Sequence, residues 1–320
     1  SVSASGPRPP SAIASPADAM KVGVVVPQGW MQEYRDHGSR EAWANTVAIA
    51  QASERIGFES VWMYDHFHSV PTPDDVIVFE PFVALSALAE LTERVRIGHI
   101  VVCTGFRNPA LTAKMISTLD VISDGRAELG IGAGWKQEEW EAYGYEYPPT
   151  RERLAMLGDH LEIITRMLDA TTDERATFEG SWARVVGAIN QPKPLQYPRV
   201  PVMVGGNGPN VTWRLAARFA DELNLDGLDP DGVREALPVI RSRCEEIGRD
   251  PESLRVSVHT WYTEPGVSER GQARVDLYGA YRDLGISRVQ SYVDGLAHGT
   301  DALDAFAEDL RTAGIELENR

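Results

Sequence analysis

The residues best suited to acid–base chemistry stand together at Tyr64-Asp65-His66-Phe67-His68, directly after an apolar run that reads as a strand. Histidine is the side chain whose unperturbed pKa lies nearest neutrality, so His66 beside Asp65 can take or give a proton. The plainer reading is a solvated loop histidine with an aspartate capping the turn. His68 reads as loop. No HExxH or comparable ligand spacing accompanies the two histidines, so no metal is expected. Arg107, in Gly105-Phe106-Arg107-Asn108-Pro109, is a cation placed either to meet an anionic ligand group or to pair with one of the many acids. His99 falls inside a strand and reads as a core histidine. Cys103 has no local base to generate a thiolate.

Two glycine-rich segments follow. Gly130-Ile131-Gly132-Ala133-Gly134-Trp135 is only superficially a GxGxxG fingerprint, because Trp135 stands where the third glycine belongs and no acid follows at the required spacing. Glycines there do let a flat ring system approach the backbone closely, with Trp135 walling a pocket. Val204-Gly205-Gly206-Asn207-Gly208-Pro209 opens a helix. Successive backbone N–H groups and the positive end of that helix make an anion site suited to a phosphate. The alternative is a tight turn that needs positive φ.

The elements that must position these groups alternate. Short β-branched runs read as buried strands at 21–26, 59–64, 95–102, 127–131, 202–204, 222–225, 254–262 and 288–293. Helical spacing follows each, at 39–56, 81–91, 109–122, 154–168, 210–219, 230–247, 268–284 and 301–313. Gly57 caps the first helix, and Asn108-Pro109 opens the third. Residues 171–200 break the rhythm with Pro192, Pro194 and Pro198 and a β-prone piece at 184–188, an insertion with a hairpin. Eight β-then-α units point to an α/β fold, a closed (β/α)8 TIM barrel with an insertion before strand 5. Barrel active sites lie at the carboxyl ends of the strands, where the segments above fall.

Composition narrows the partners. With 31 basic and 47 acidic residues the formal charge is −16, which argues against nucleic acid and against an anionic membrane surface. No apolar run approaches the ~20 residues of a membrane span. The two cysteines, Cys103 and Cys244, form no pair or ligand spacing, as in a reduced, cytoplasmic protein. Residues 1–19 are Ser/Ala/Pro-rich without the basic-then-apolar order of a secretory signal, and read as a flexible extension to a domain over 20–320.

Taken in order, Asp65-His66-Phe67, Arg107-Asn108-Pro109-Ala110, Leu119-Asp120-x-x-Ser123-x-Gly125-Arg126, Leu129-Gly130-x-Gly132-x-Gly134-Trp135 and Pro192-Lys193-Pro194 before Gly205-Gly206 resemble the luciferase-like monooxygenase superfamily. Within it they resemble the coenzyme F420-dependent oxidoreductases. The similarity runs over about 20–315. It implies a (β/α)8 barrel holding a flavin or deazaflavin at its strand ends. His66 would lie near the redox ring as proton donor or acceptor, and Asp65 would hydrogen-bond the cofactor. A non-proline cis peptide at about Ile100–Val101 would bulge under the ring. Gly132, Ala133 and Gly134 would rim the ring, and Gly205, Gly206, Asn207 and Gly208 would take its phosphate. Sugar-phosphate-oxidising relatives carry a Glu directly after the Gly-x-Gly of the fourth strand. Trp135 stands there in this chain, which argues against that reaction.

The resulting expectation is an F420-dependent oxidoreductase moving a hydride between C5 of the deazaflavin and a small organic substrate. Gln28, Trp30 and Trp135 would shape the substrate side, and the enzyme would be a homodimer. Only four of the basic residues are lysine (Lys21, Lys114, Lys136 and Lys193). That arginine bias suggests a GC-rich genome, and F420 is common in GC-rich actinobacteria. Two alternatives stand beside it: an FMN-dependent luciferase-like monooxygenase using reduced flavin and oxygen, and a non-catalytic flavin- or deazaflavin-binding protein. Fold alone does not separate the three.

Overall fold

The computed structural model describes residues 19–261 and 266–318. Residues 1–18 of the expected extension, and Tyr262 at the expected end of the seventh strand, lie outside the described residues. In chain order the elements are β1 Lys21–Val25, α1 Ser39–Ile56, β2 Ser60–Met63, α2 Pro81–Glu90, β3 Arg96–His99, β4 Val102–Cys103, α3 Pro109–Ile122, β5 Ala127–Gly132, α4 Gln137–Ala142 and α5 Thr150–Leu168. They continue with β6 Ala176–Glu179, β7 Arg184–Ala188, β8 Val202–Gly205, α6 Thr212–Phe219, β9 Glu222–Asp226, α7 Pro230–Glu245, β10 Arg255–Thr260, α8 Gln272–Asp283, β11 Arg288–Ser291 and α9 Asp301–Thr312.

β1 pairs with β2 on one side and β11 on the other, and the parallel ladder runs on through β3, β5, β8, β9 and β10 back to β11. This is an eight-stranded (β/α)8 barrel, with β4 prolonging the β3 strand beyond the cis Ile100–Val101 peptide. β6 and β7 form the antiparallel hairpin of the insertion. The element α4 has no counterpart in the sequence reading, because six residues are too short for a periodicity to register. None of the described helices is long and apolar enough to cross a membrane.

Local chemistry explains the helix starts. Asn108 Oδ1 accepts from Ala110 N at 2.8 Å with Pro109 at the first position, and Asp229 Oδ1 accepts from Gly232 N at 2.8 Å ahead of Pro230. Along the strands, alternate residues face opposite ways. Val22, Val24, Val61, Met63, Leu129, Ile131, Leu223 and Leu225 pack outward against Ile49, Leu85, Ile116, Leu161 and Phe306 of the helical shell.

The inward face is different. Glu128, Glu222 and Arg288 point into the barrel and are almost wholly buried. Arg288 Nη2 donates to Glu128 Oε2 at 2.6 Å and to Glu222 Oε2, while Nη1 reaches Glu59 Oε2 at 3.2 Å. Trp62 covers the guanidinium, 5.0 Å from ring to Arg288 Cζ. Trp62 has that room because its neighbours lack side chains: a Cβ on Gly23 or Gly98 would overlap its indole. Burial alone would push the Arg288 guanidinium down, but Glu128, Glu222 and Glu59 outweigh it and raise its pKa well above the ordinary value. Burial likewise pushes Glu128 up, and Arg288 and Arg96 reverse it, holding the carboxyl well below the usual range.

Because its folded pKa is depressed, Glu128 contributes stability that is present above its unfolded pKa and lost as pH falls through the folded one. Removing the cation should expose the cost of the buried carboxylates. Arg288→Met is expected to lose about 3–5 kcal/mol at pH 7. That deficit should shrink toward pH 5, because unpaired buried carboxylates then take up protons. Urea unfolding at the two pH values checks it, and a deficit that grows with acid contradicts the account.

Candidate active site

Seven of the barrel's strand ends surround a cavity of about 280 Å³. Its floor carries Ile100 and Val101, joined by the cis peptide. Val101 projects between Gly132 and Gly205, where a Cβ on either glycine would come within 2.9 Å of its methyl groups. Gly132, Ala133, Gly134, Gly205 and Gly206 all line the cavity, as does Thr212 at the start of α6.

His66 stands on one wall. Its Nδ1 lies 2.7 Å from Glu139 Oε2, and its ring stacks on Trp30 at 4.4 Å with 8° between planes. Trp135 meets it edge-on at 5.8 Å. Glu139 comes from α4 and is fully buried. Its Oε1 also accepts from the backbone N–H groups of Phe67 and of His68, the latter at 2.8 Å. Burial pushes its carboxyl up, but His66 and the two amides outweigh that and hold it below the ordinary value. Glu139 is therefore ionised near neutrality and assigns the proton of neutral His66 to Nδ1. Nε2 is then the lone-pair nitrogen.

Asp65 lines the cavity beside His66 and is also held from within the protein. Arg107 grips its carboxylate with Nη1 at 2.6 Å and Nη2 at 2.9 Å, and Cys103 N donates to it at 2.8 Å. Arg107 also reaches Glu80 at 2.9 Å and lies 4.5 Å over Phe82. Asp65 thus clamps the end of β2 to β4 while keeping its place in the cavity lining. Arg107, outside that lining, is committed to Asp65 and Glu80, which removes it as a cation for a ligand.

Gln28 is a correction. It is buried, outside the cavity lining, and its amide bonds Tyr64 O at 2.8 Å, Phe79 O at 2.6 Å and Tyr64 N at 2.9 Å. It staples three chain segments and, buried outside the lining, does not face a substrate. Asn207 and Gly208 also stand outside the lining. Asn207 pins the backbone of Asp226 from both sides, at 2.7 and 2.9 Å. The Gly206 amide donates to Asn224 O at 3.0 Å, so Gly206 contributes its missing Cβ and its φ of +133° and not a donor. His99 is a core histidine: burial, then Arg107, push it down to about 3. Burial, then Asp65, push the Cys103 thiol well up, so it is no thiolate.

Glu139 went unseen in the sequence, although it falls within a polar helical run after the glycine-rich strand end. A second pair was missed at the ends of β9 and β10. His259 Nδ1 lies 3.0 Å from Asp226 Oδ1, His259 Nε2 lies 2.9 Å from Tyr64 OH, and Trp261 Nε1 donates to Asp226 at 2.5 Å. Burial pushes Asp226 up, and the hydrogen bonds from His259 and Trp261 reverse that. Lys136, at 7% exposure, completes the lining beside Trp135. Among the described residues no three His, Cys, Asp or Glu side chains group as metal ligands.

An apolar bulged floor, glycine rims and a carboxylate-fixed histidine fit a flat heteroaromatic ring handled with a proton, on a (β/α)8 oxidoreductase scaffold. The family model described as luciferase-like monooxygenase matches residues 20–308, and the chain belongs to that family. The F420-dependent glucose-6-phosphate dehydrogenase of Kineococcus radiotolerans is 34% identical over 223 residues, 68% of this chain and 63% of that protein. The solved F420-dependent secondary alcohol dehydrogenase, in complex with an F420-acetone adduct, has a TM-score of 0.66 at 22% identity and covers 91% of each chain. A long-chain alkane monooxygenase gives a TM-score of 0.73 at 13% identity, covering 95% of this chain and 94% of that one. These two structures share the fold.

The Glu139–His66 contact makes a prediction that needs no ligand. In the ring ¹⁵N spectrum, neutral His66 should carry its proton on Nδ1. Glu139→Gln can keep the two backbone bonds through its carbonyl but turns an N–H donor toward Nδ1. The proton should then move to Nε2. The same tautomer in both proteins contradicts the assignment.

Proposed function

We propose that the protein is a coenzyme F420-dependent oxidoreductase that moves a hydride between C5 of the deazaflavin and a small organic substrate. The observation that carries the reading is His66, held by Glu139 and facing a cavity floored by the cis Ile100–Val101 peptide. The dehydrogenase relative named for F420 supports the choice of cofactor. Small-molecule turnover by a cytoplasmic homodimer is the setting this reading assumes.

The bound deazaflavin supplies hydride chemistry at C5. Ile100 and Val101 would support its ring, with Gly132, Ala133 and Gly134 along the edge. Gly205, Gly206 and Thr212 would admit its phosphate at the start of α6. His66 Nε2 takes the proton released when the substrate is oxidised and returns it in the reverse direction. Glu139 stabilises the imidazolium while that proton is held. Trp30 covers one face of the imidazole, keeps it from turning and excludes water. The Asp65–Arg107 clamp and the Gln28 staple fix the loop that carries His66. Trp135 stands where sugar-phosphate-oxidising relatives carry a Glu, so the reading does not extend to glucose 6-phosphate.

Parallel titrations with F420 and reduced FMN test the cofactor. F420 is expected to bind more tightly. Tighter FMN binding with substrate-dependent oxygen uptake would transfer the protein to the monooxygenases.

His66→Ala tests the proton step. Loss of one acid–base group lowers turnover by about 10²–10⁴. Deazaflavin binding should stay near wild type, since the floor and phosphate contacts come from other strands. Unchanged turnover at saturation removes His66 from the mechanism.

A further inference from the structure

Lys136 is one of four lysines in the chain and lies at the cavity. The other three have ready partners: Lys21 pairs with Glu318, Lys114 with the Gln191 carbonyl, and Lys193 with the Asp169 carbonyl at 2.7 Å. Lys136 is 7% exposed, yet its ammonium makes a single long contact, 3.5 Å to Ser69 O, and lies 5.8 Å from the Trp135 ring. It makes no ion pair among the described residues. A buried ammonium without a counter-ion is costly, because desolvation is not offset by a partner charge. The cost falls where a ligand can remove it: Lys136, Trp30, Trp135 and Trp261 line both the inner cavity and an outer cleft, so Lys136 stands at the throat between them. Glu138 and Glu141 line the outer cleft, and the inner carboxylates Asp65, Glu139 and Asp226 already accept from donors of the protein, so Lys136 is the one Lys or Arg in either lining, among the described residues, that can meet an anion.

We propose that Lys136 anchors an anionic group of the substrate, whose flat or apolar body lies among Trp30, Trp135 and Trp261. The proposal rests on the oxidoreductase reading of the cavity and names its substrate class: small organic anions, carboxylates or phosphate monoesters, with the reacting carbon held toward His66. Tryptophan faces suit an unsaturated body, and the ammonium supplies the charge-assisted hydrogen bond. Lys136 determines specificity and takes no part in proton transfer.

The test uses benzoate, phenyl phosphate and neutral benzyl alcohol, with binding followed by tryptophan fluorescence in wild type and Lys136→Met. Affinity for at least one anion should fall about ten- to hundredfold in the variant, as for loss of a charge-assisted hydrogen bond, while benzyl alcohol binding stays unchanged. Which anion responds separates carboxylate from phosphate ester. F420 affinity should be unaffected, and the urea midpoint of the free protein should rise, because methionine fills the site without a buried charge. Anion affinity that ignores the substitution overturns the proposal. So does loss of F420 binding with anion binding intact, which would give Lys136 to the cofactor. If wild type binds benzoate through Lys136 but does not bind F420, the cofactor reading fails and the anion anchor stands.

Discussion

The barrel closes around a buried guanidinium. Arg288 on β11 reaches across the interior to Glu128 on β5, Glu222 on β9 and Glu59 beside β2. Those partners come from separate parts of the ring of strands, so the charges are satisfied together only when the ring is closed and in register. Charges buried at this depth penalise every slipped or open arrangement far more than an apolar filling would. The polar interior then continues upward. Gln290 bonds Glu222 at 3.0 Å and Asn224 at 3.0 Å, and Asn224 reaches the cavity wall. The same inward-facing rows that carry the charges at the base deliver the site at the top.

At that upper end, the commitments of side chains matter as much as their presence. Asp65, Arg107 and Gln28 are polar, near the strand ends and hydrogen-bonded within the protein itself. Their hydrogen bonds hold the loop after β2, and that loop holds His66. Glu139 does two things with one carboxylate: it ties down the backbone of Phe67 and His68, and it orients the His66 ring. A group that satisfies backbone donors and an imidazole at once couples the loop's shape to the proton position.

The cavity carries two carboxylate–histidine pairs, Glu139–His66 and Asp226–His259. In the second pair the far imidazole nitrogen meets Tyr64 OH, so that pair is already closed by the protein. The asymmetry separates a histidine with an uncommitted nitrogen from one set within a chain of side chains. With a formal charge of −16, the molecule has no long-range attraction for anionic ligands. Recognition of an anion here must be local, by donors and cations inside the cavity.

Alternation of β-branched runs with helical spacing was enough to determine eight β-then-α units, their order and the end of the barrel that bears the site. Those signals are local, set by side-chain period and by caps such as Asn108-Pro109. The glycine rims were legible for the same reason, and the resemblance placed the cis peptide at Ile100–Val101. Tertiary structure alone decided which polar groups are free. His66 and Glu139 stand 73 residues apart, Tyr64 and His259 195 apart, and Arg288 and Glu59 229 apart. No local pattern encodes such meetings, because each depends on strand register around a closed ring. Arg107 shows the converse: a residue type that looks ligand-ready in sequence became half of a clamp once the chain after β4 met Asp65 at the end of β2. Lys136 reads as one more polar residue in the chain, and only the fold buries it without a counter-ion.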